Sequence, residues 1–367
     1  MAHMFDYLNW RGDLTVTQSP FNGVDALILA TLAYTRFGTI ITDDPMSPVF
    51  LHQAADAFFA LPDHEKRVRD KRELELLLAA AESRRFRNVG LCFYRDIFIP
   101  EEETQFAAMT FLLDDGSAYL AFRGTDTSLV GWKEDFNMSF QDTVPAQRMA
   151  ADYAQDFAEV FFGRMTFGGH SKGGNLAVFA AAECDSAIQA RIDRVFNLDG
   201  PGFGDYLMGS KGYLAMVPKI STYIPQSSII GMLLEHEEPY TIIRSNQIGV
   251  LQHDPYSWQV MGPDFVLTDA MSADARFLDK TIKHWLAGMS QAERNEFVDT
   301  VYDLMISGGA NKTTHLLRPQ NIRTFFKTLN SDENARRLLA GELASLIQSA
   351  KDTHQEMEQD KIEQLTP

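Results

Sequence analysis

The sequence predicts an α/β protein: a mostly parallel central sheet with helices on both faces, followed by a helical C-terminal appendage. Three observations carry this reading. From Phe106 to about residue 224, apolar runs of strand length alternate with segments of helical period. The strand-like runs are apolar and aromatic-rich, as strands buried on both faces are. After about residue 265 the strand signals fade and helical periodicity continues. The chain is therefore divided into residues 1–264, the sheet domain, and 265–367, a helical region either packed on it or carrying an interface.

The elements follow in order. Val24, Leu27, Ile28, Thr31 and Leu32 fall at helical spacing and predict an amphipathic helix over 21–36. Residues 63–87 are densely charged with mixed sign and read as a solvated helix face. Phe106–Leu113 and Ser117–Phe122, joined by Asp114-Asp115-Gly116, predict a hairpin. Pro145 opens a helix with the stripe Met149, Tyr153, Phe157 and Phe161, and Gly163 ends it. A short run, Met165-Thr166-Phe167, leads into a glycine-rich turn and a helix of small residues, Asn175–Ala182. Strands are expected at 192–198 and 219–224, and helices at 272–287 and 290–306. Ser331 is read as the cap of a last helix with the stripe Ala335, Leu339, Leu343, Leu346 and Ile347, and the final fifteen or so residues as a frayed polar tail.

Composition narrows the function. Lys plus Arg is 33 against 50 Asp plus Glu, a net charge of −17, which repels nucleic acid and anionic lipid at long range. No apolar run reaches the length of a membrane span. Two cysteines, Cys92 and Cys184, exclude a disulfide framework and fit a reducing compartment. The N-terminus lacks a basic n-region followed by an apolar h-region, so no secretion signal is expected and a cytoplasmic location is.

The strongest chemical signal is Gly168-Gly169-His170-Ser171-Lys172-Gly173-Gly174-Asn175. It contains G-x-S-x-G between a predicted strand and a predicted helix, the setting in which that motif presents a nucleophile. The glycines permit a sharp turn with close backbone approach, and Ser171 is left exposed at the carboxyl edge of the strand. The Lys172 N–H, at a helix N-terminus, faces a developing oxyanion. Other readings fail. A phosphate-binding P-loop needs G-K-[ST], and Lys172 is followed by Gly173. Gly200-Pro201-Gly202-Phe203-Gly204 lacks dinucleotide spacing, and there is no H-E-x-x-H, so neither cofactor nor metal is expected.

A serine hydroxyl needs a base, and the base an orienting acid. His284 lies in a helical pattern, and His315 and His354 lie in the appendage. His236 sits in an acidic segment read as a solvated loop. His253, in Gln252-His253-Asp254-Pro255-Tyr256-Ser257-Trp258, is left as the base. Asp199, at the end of the strand after the Ser171 helix, is the favoured acid. Asp254 adjoins His253 and would point away from it. Thr125, in Phe122-Arg123-Gly124-Thr125-Asp126, is the second oxyanion donor, through its N–H and its hydroxyl.

Two stretches then resemble the lipase branch of the α/β-hydrolases, especially fungal-type (class 3) lipases. Phe122-Arg123-Gly124-Thr125 with Trp132 and Asp135 resembles their oxyanion segment, and Gly169-His170-Ser171 with Gly173-Gly174 and Leu176-Ala177 their serine turn. The G-H-S-K-G-G-N-L-A, N-L-D-G-P-G-F and Q-H-D-P-Y-S-W segments also resemble a bacterial family of lipase-like proteins of unknown function. The likeness spans about residues 85–262 and implies the α/β-hydrolase fold and acyl-enzyme chemistry. Three departures stand out. Lys172 replaces an apolar residue, which would put an ammonium near the mouth and favour an anionic substrate. The class 3 acid has no counterpart in Gln226-Ser227-Ser228-Ile229-Ile230, and Asp199 instead resembles the acid of pancreatic-type lipases. Only Asp126–Gly131 precedes Trp132, too little for a long lid, so Ile229, Ile230, Met232, Leu233 and Leu234 either border an acyl pocket or fill the core.

The sequence thus predicts a serine hydrolase of carboxylic esters, lipase- or esterase-like, acting on a small-molecule or lipid-like ester. Ser171, His253 and Asp199 form its triad, and Thr125 and Lys172 its oxyanion hole. Two alternatives stay open: an inactive hydrolase-fold binding module, or an acyltransferase or thioesterase using the same serine. The helical C-terminal region is where a homo-oligomer would form.

Overall fold

The computed structural model describes residues 1–138 and 140–365, with side chains through 359. Helices α1 (Met4–Arg11), α2 (Gly23–Leu32), α3 (Leu51–Phe59) and α4 (Lys71–Glu82) precede most of the sheet. Eight strands lie side by side in chain order: β1 (Val49–Phe50), β2 (Gly90–Ile99), β3 (Thr104–Leu112), β4 (Ala118–Phe122), β5 (Met165–His170), β6 (Ile192–Leu198), β7 (Ile220–Pro225) and β8 (Tyr240–Ile243). Pairing is antiparallel from β1 to β4 and parallel from β4 to β8. Helices α5 (Leu129–Asn137), α6 (Pro145–Val160), α7 (Lys172–Glu183), α8 (Ser186–Arg191), α9 (Asp205–Met208) and α10 (Lys211–Met216) fill the connections. Beyond the sheet come α11 (Ala273–Ala287), α12 (Gln291–Ile306), α13 (Thr313–Leu316), α14 (Pro319–Ser331) and α15 (Glu333–Leu365). This is the α/β-hydrolase fold with a helical C-terminal region.

Alternation along β4 divides the core. Tyr119 and Ala121 enter the cluster shared with α2 and α4, while Ala118, Leu120 and Phe122 enter the cluster shared with α6 and α7. Both sheet faces are therefore covered. The hairpin, the helix from Pro145, and the strands near 192–198 and 219–224 lie where the sequence puts them. The strands β1, β2 and β8 escape the sequence reading. In β2, Arg95 and Asp96 interrupt the apolar run, and a register shift between Cys92 and Arg95 breaks its alternation.

Several expectations are corrected. Helix α2 is not amphipathic: all ten of its residues are buried, because sheet and helices enclose it. The charged stretch 63–87 is not uniformly solvated. Arg85 is buried and forks onto the Asp25 carboxylate, with Nε 2.6 Å from Oδ1, and its remaining N–H groups donate to the carbonyls of Leu14, Thr15, Ser19 and Pro20. Asp25 in turn takes a hydrogen bond from Tyr7 at 2.7 Å and closes the capping box of α2 with Asn22. One buried ion pair so ties the N-terminal loops to the helix under the sheet.

At the other end, Ser331 finishes α14 and Asp332 caps α15, accepting from the Ala335 N–H at 3.0 Å. The segment read as a frayed tail is helical as far as Leu365, and Thr366 and Pro367 lie outside the described residues. Of the expected stripe, Ala335 is buried while Leu343 and Ile347 are exposed. The region packs against the sheet domain through α12 on α5. The Lys133 ammonium lies 2.6 Å from Asp299, and the Leu129 N–H donates to the Asn311 carbonyl at 3.1 Å.

Arg85→Ala leaves Asp25 as an uncompensated buried charge. It should cost about 3–5 kcal/mol of unfolding free energy, read from urea midpoints of the variant and the parent.

Candidate active site

The pairing register fixes where the site lies. Phe122 pairs with Gly169, His170 with Leu198, and Leu198 with Tyr223, so the strands β4 to β7 end along one edge. The ladder continues one residue further, with Ser171 N–H donating to Leu198 (3.0 Å) and Asp199 N–H to Tyr223 (2.9 Å). Arg123–Thr125, Ser171 and Asp199 therefore emerge together at the carboxyl edge, the place where open α/β sheets bind ligands.

Ser171 has φ 61° and ψ −135°, a conformation L residues rarely adopt. The turn closes only because its flanks are glycine. A Cβ on Gly173 would lie 2.1 Å from the Phe122 carbonyl oxygen, and one on Gly169 2.4 Å from the same atom. Asp199 also has positive φ, 56°. Two non-glycine residues at the end of adjacent strands carry this strain, each worth roughly 1–3 kcal/mol.

The Asp199 carboxylate is fully buried. Its Oδ2 accepts from His253 Nδ1 at 2.7 Å, and its Oδ1 accepts from the Ser228 hydroxyl. With Nδ1 donating to Asp199, Nε2 of His253 is the nitrogen free to accept a proton. Among the described residues no hydrogen bond joins Ser171 Oγ to this imidazole; such contacts commonly tighten only with substrate bound. The loop carrying His253 is pinned at several points. The His170 Nε2–H donates to the His253 carbonyl at 2.8 Å, and the Trp258 indole donates to Gln252 at 3.0 Å. Burial, with the His253 charge and Arg69 adding to it, holds the His170 pKa well below the usual histidine value. His170 thus stays a neutral donor. Asp254 turns away from His253 to Arg72, 2.7 Å from its Nη1.

The oxyanion segment needs one correction. The Thr125 hydroxyl is engaged, donating to Asp135 Oδ1 at 2.6 Å. Its backbone N–H has no partner among the described residues. Lys172 is the first residue of α7, where N–H groups have no intrahelical acceptor. The expected cationic mouth is also absent. The Lys172 ammonium is buried and donates to Glu134 Oε2 at 2.8 Å and to the Gln105 carbonyl at 2.9 Å. Glu134 is satisfied further by the N–H groups of Gln105 and Ala146. The pair joins α5 to the serine turn and offers no charge to a substrate.

Ser171 opens onto a cavity of about 300 Å³. Trp132, Ile229, Ile230, Leu233 and Leu234 line one part of it, and Ile282, Trp285 and Leu286 of α11 another. Four of the five expected pocket residues are therefore present. Met232 instead packs with Ile224, Met271 and Ala275. His236, read as a solvated loop residue, has its side chain buried, with Nδ1 3.1 Å from Glu238 and Nε2 2.9 Å from the Gly231 carbonyl. Ser228, His170, Glu134 and Trp285 were not singled out by the sequence reading. Only His170 had a local signal, its place before Ser171. Among the described residues no group of His, Cys, Asp and Glu is placed to hold a metal ion.

A family model described as Mbeg1-like matches residues 80–303. The chain belongs to the Mbeg1-like family. That match spans β2 through α12, so it includes the serine turn, Asp199, His253 and the α11 wall of the cavity. Among solved structures, the chain is similar to M37 lipase at 14% identity and a TM-score of 0.36, covering 57% of this chain and 69% of that one. It is similar also to the Rhizomucor miehei lipase propeptide complex at 16% identity and a TM-score of 0.32, covering 42% of this chain. The chain spans 57% of the length of that fungal lipase. No curated protein matches.

Desolvation pushes the Asp135 carboxyl up to about 6, opposed by Lys172 and by the Thr125 hydroxyl. A raised folded-state pKa favours the protonated form. Its contribution to stability is complete below the ordinary value of 3.8 and is lost as pH rises through about 6. Asp135→Asn removes this titration. The variant's stability relative to the parent should therefore rise between those two values and level off above them, as followed by urea unfolding across that range.

Proposed function

We propose that this protein is a serine hydrolase of carboxylic esters with a lipase- or esterase-like acyl-enzyme mechanism. The observation that carries the proposal is the His253–Asp199 hydrogen bond at the sheet edge from which Ser171 projects on a strained turn. In this reading Ser171 Oγ attacks the ester carbonyl and His253 Nε2 takes its proton. The backbone N–H groups of Thr125 and Lys172 hold the oxyanion, a contribution typically worth about 100-fold or more per donor. His253 then protonates the departing alcohol, and water activated by the same imidazole releases the acid. Asp199 keeps Nδ1 protonated throughout, and Ser228 keeps Asp199 in place.

The walls of the cavity favour an apolar acyl chain, with a small-molecule or lipid-like ester as substrate. We read residues 1–264 as the hydrolase domain and 265–367 as a helical region that completes this wall through α11. We place the protein in the cytoplasm on its cysteine usage: Cys92 and Cys184 are free and buried, and burial pushes each thiol up to about 12. Among the described residues no helix is long and apolar enough to cross a membrane. Ile322, Phe326, Leu343 and Ile347 are exposed on α14 and α15, the surface a second copy would cover.

A fluorophosphonate probe should label the folded protein at Ser171, and Ser171→Ala should abolish both labelling and ester hydrolysis. Asp199→Asn should lower kcat about 10⁴-fold through the wrong imidazole tautomer. Folded, unlabelled parent protein would sink the hydrolase reading in favour of a binding module; transfer of the acyl group to an added alcohol or thiol would mark an acyltransferase, and preferential hydrolysis of a thioester over the matching oxygen ester a thioesterase. Trp285→Ala should widen the cavity and shift the chain-length optimum of p-nitrophenyl esters upward, with labelling of Ser171 retained.

A further inference from the structure

A second pocket, of about 200 Å³, shares no lining residue with the first. Six cations reach it: Arg36, Lys66, Arg67, Arg69, Arg123 and Lys312. They gather there although the chain carries a net charge of −17. Four of the six are answered by carboxylates. Arg36 pairs with Asp126, Arg67 with Asp63 at 3.1 Å, Arg69 with Glu73 at 2.7 Å, and Arg123 with Asp96 at 2.7 Å. Lys66 and Lys312 have no carboxylate partner among the described residues. Arg123 is 2% exposed, and its buried Nε donates to nothing among the described residues. A buried guanidinium N–H without an acceptor is uncommon, and Arg123 is one of the residues that line this pocket.

The pocket is also held in shape. The Arg36 N–H donates to the Arg67 carbonyl at 3.1 Å, which joins two of its walls. Lys312 pairs with Ser128 in an antiparallel bridge, and the Thr313 N–H donates to the Thr127 carbonyl at 2.9 Å. The Arg69 guanidinium lies 3.2 Å from the centre of the Tyr34 ring, so it is oriented by stacking. Four distant stretches of chain are thus fixed around one cationic hollow.

We infer that this pocket binds a dissolved phosphate monoester, its dianion received by Lys66, Lys312 and Arg123. Two unneutralised ammonium groups beside a guanidinium suit a divalent oxyanion better than a single carboxylate. The volume admits the phosphate and a short organic tail. The site is separate from the ester-cleaving centre proposed above, although Arg123, Asp126 and Thr127 flank Thr125.

Calorimetric titration of the full chain tests this directly. Inorganic phosphate and glycerol 3-phosphate should each bind saturably at one site, and glycerol should give no heat of binding. The K66A/K312A double variant should weaken both by about tenfold or more, with an unchanged Tm in the absence of phosphate. If the double variant is poorly folded, Lys66→Gln and Lys312→Gln singly should each weaken binding in the same titration. Ser171→Ala should bind phosphate as the parent does, which separates this result from the fate of the hydrolase reading. Absence of saturable phosphate binding, binding indifferent to both lysines, or retention only on phosphatidic acid vesicles would each overturn the proposal.

Discussion

The approach of the Phe122 carbonyl to the Ser171 turn is the constraint on which the site depends. A methyl group on either Gly169 or Gly173 would collide with that oxygen, so β4 and the start of α7 come as close as bare backbone permits. This contact sets the oxyanion segment, the continuation of β4, beside the strained serine. Between those two glycines Ser171 takes its positive φ, a conformation that residues other than glycine rarely adopt. Everything else at the edge is arranged around a geometry already decided by two backbones touching.

Buried polar groups hold that arrangement from behind. Lys172 follows the serine, yet its side chain runs into the interior to Glu134 and Gln105. A lone ammonium there would be very costly to desolvate; with Glu134 opposite and both its carboxylate oxygens engaged, it becomes a tie between α5 and the serine turn. On the other side Ser228 and His253 share the two oxygens of Asp199, while His170 holds the His253 backbone. On the proposed reading, each reacting group is thereby fixed by a neighbour that does not itself meet a substrate.

Much of this was legible in the sequence where local rules operate. Glycine spacing around Ser171, the hairpin at Asp114-Asp115-Gly116 and the apolar runs of β5 and β6 depend on neighbours a few residues away. The His253–Asp199 contact was reached by elimination and by strand ends, because topology alone puts them on one edge. What stayed hidden depends on partners far along the chain. Lys172 looks like a surface cation until Glu134 is placed against it, and Arg85 looks solvated until Asp25 is. Ser228 reads as a plain loop serine, since its partner is 29 residues away. The strand β2 was lost because its charged residues pair with side chains from other elements, Arg95 with Asp43 and Asp156 and Asp96 with Arg123, a compensation no local pattern reveals.

Helix α11 lends Ile282, Trp285 and Leu286 to the cavity, although none of the groups at the sheet edge belongs to it. If the proposed chemistry holds, reactivity and molecular taste are therefore written in separate stretches of the chain. A substitution on α11 would then retune what fits without disturbing Ser171, His253 or Asp199, none of which lies on that helix.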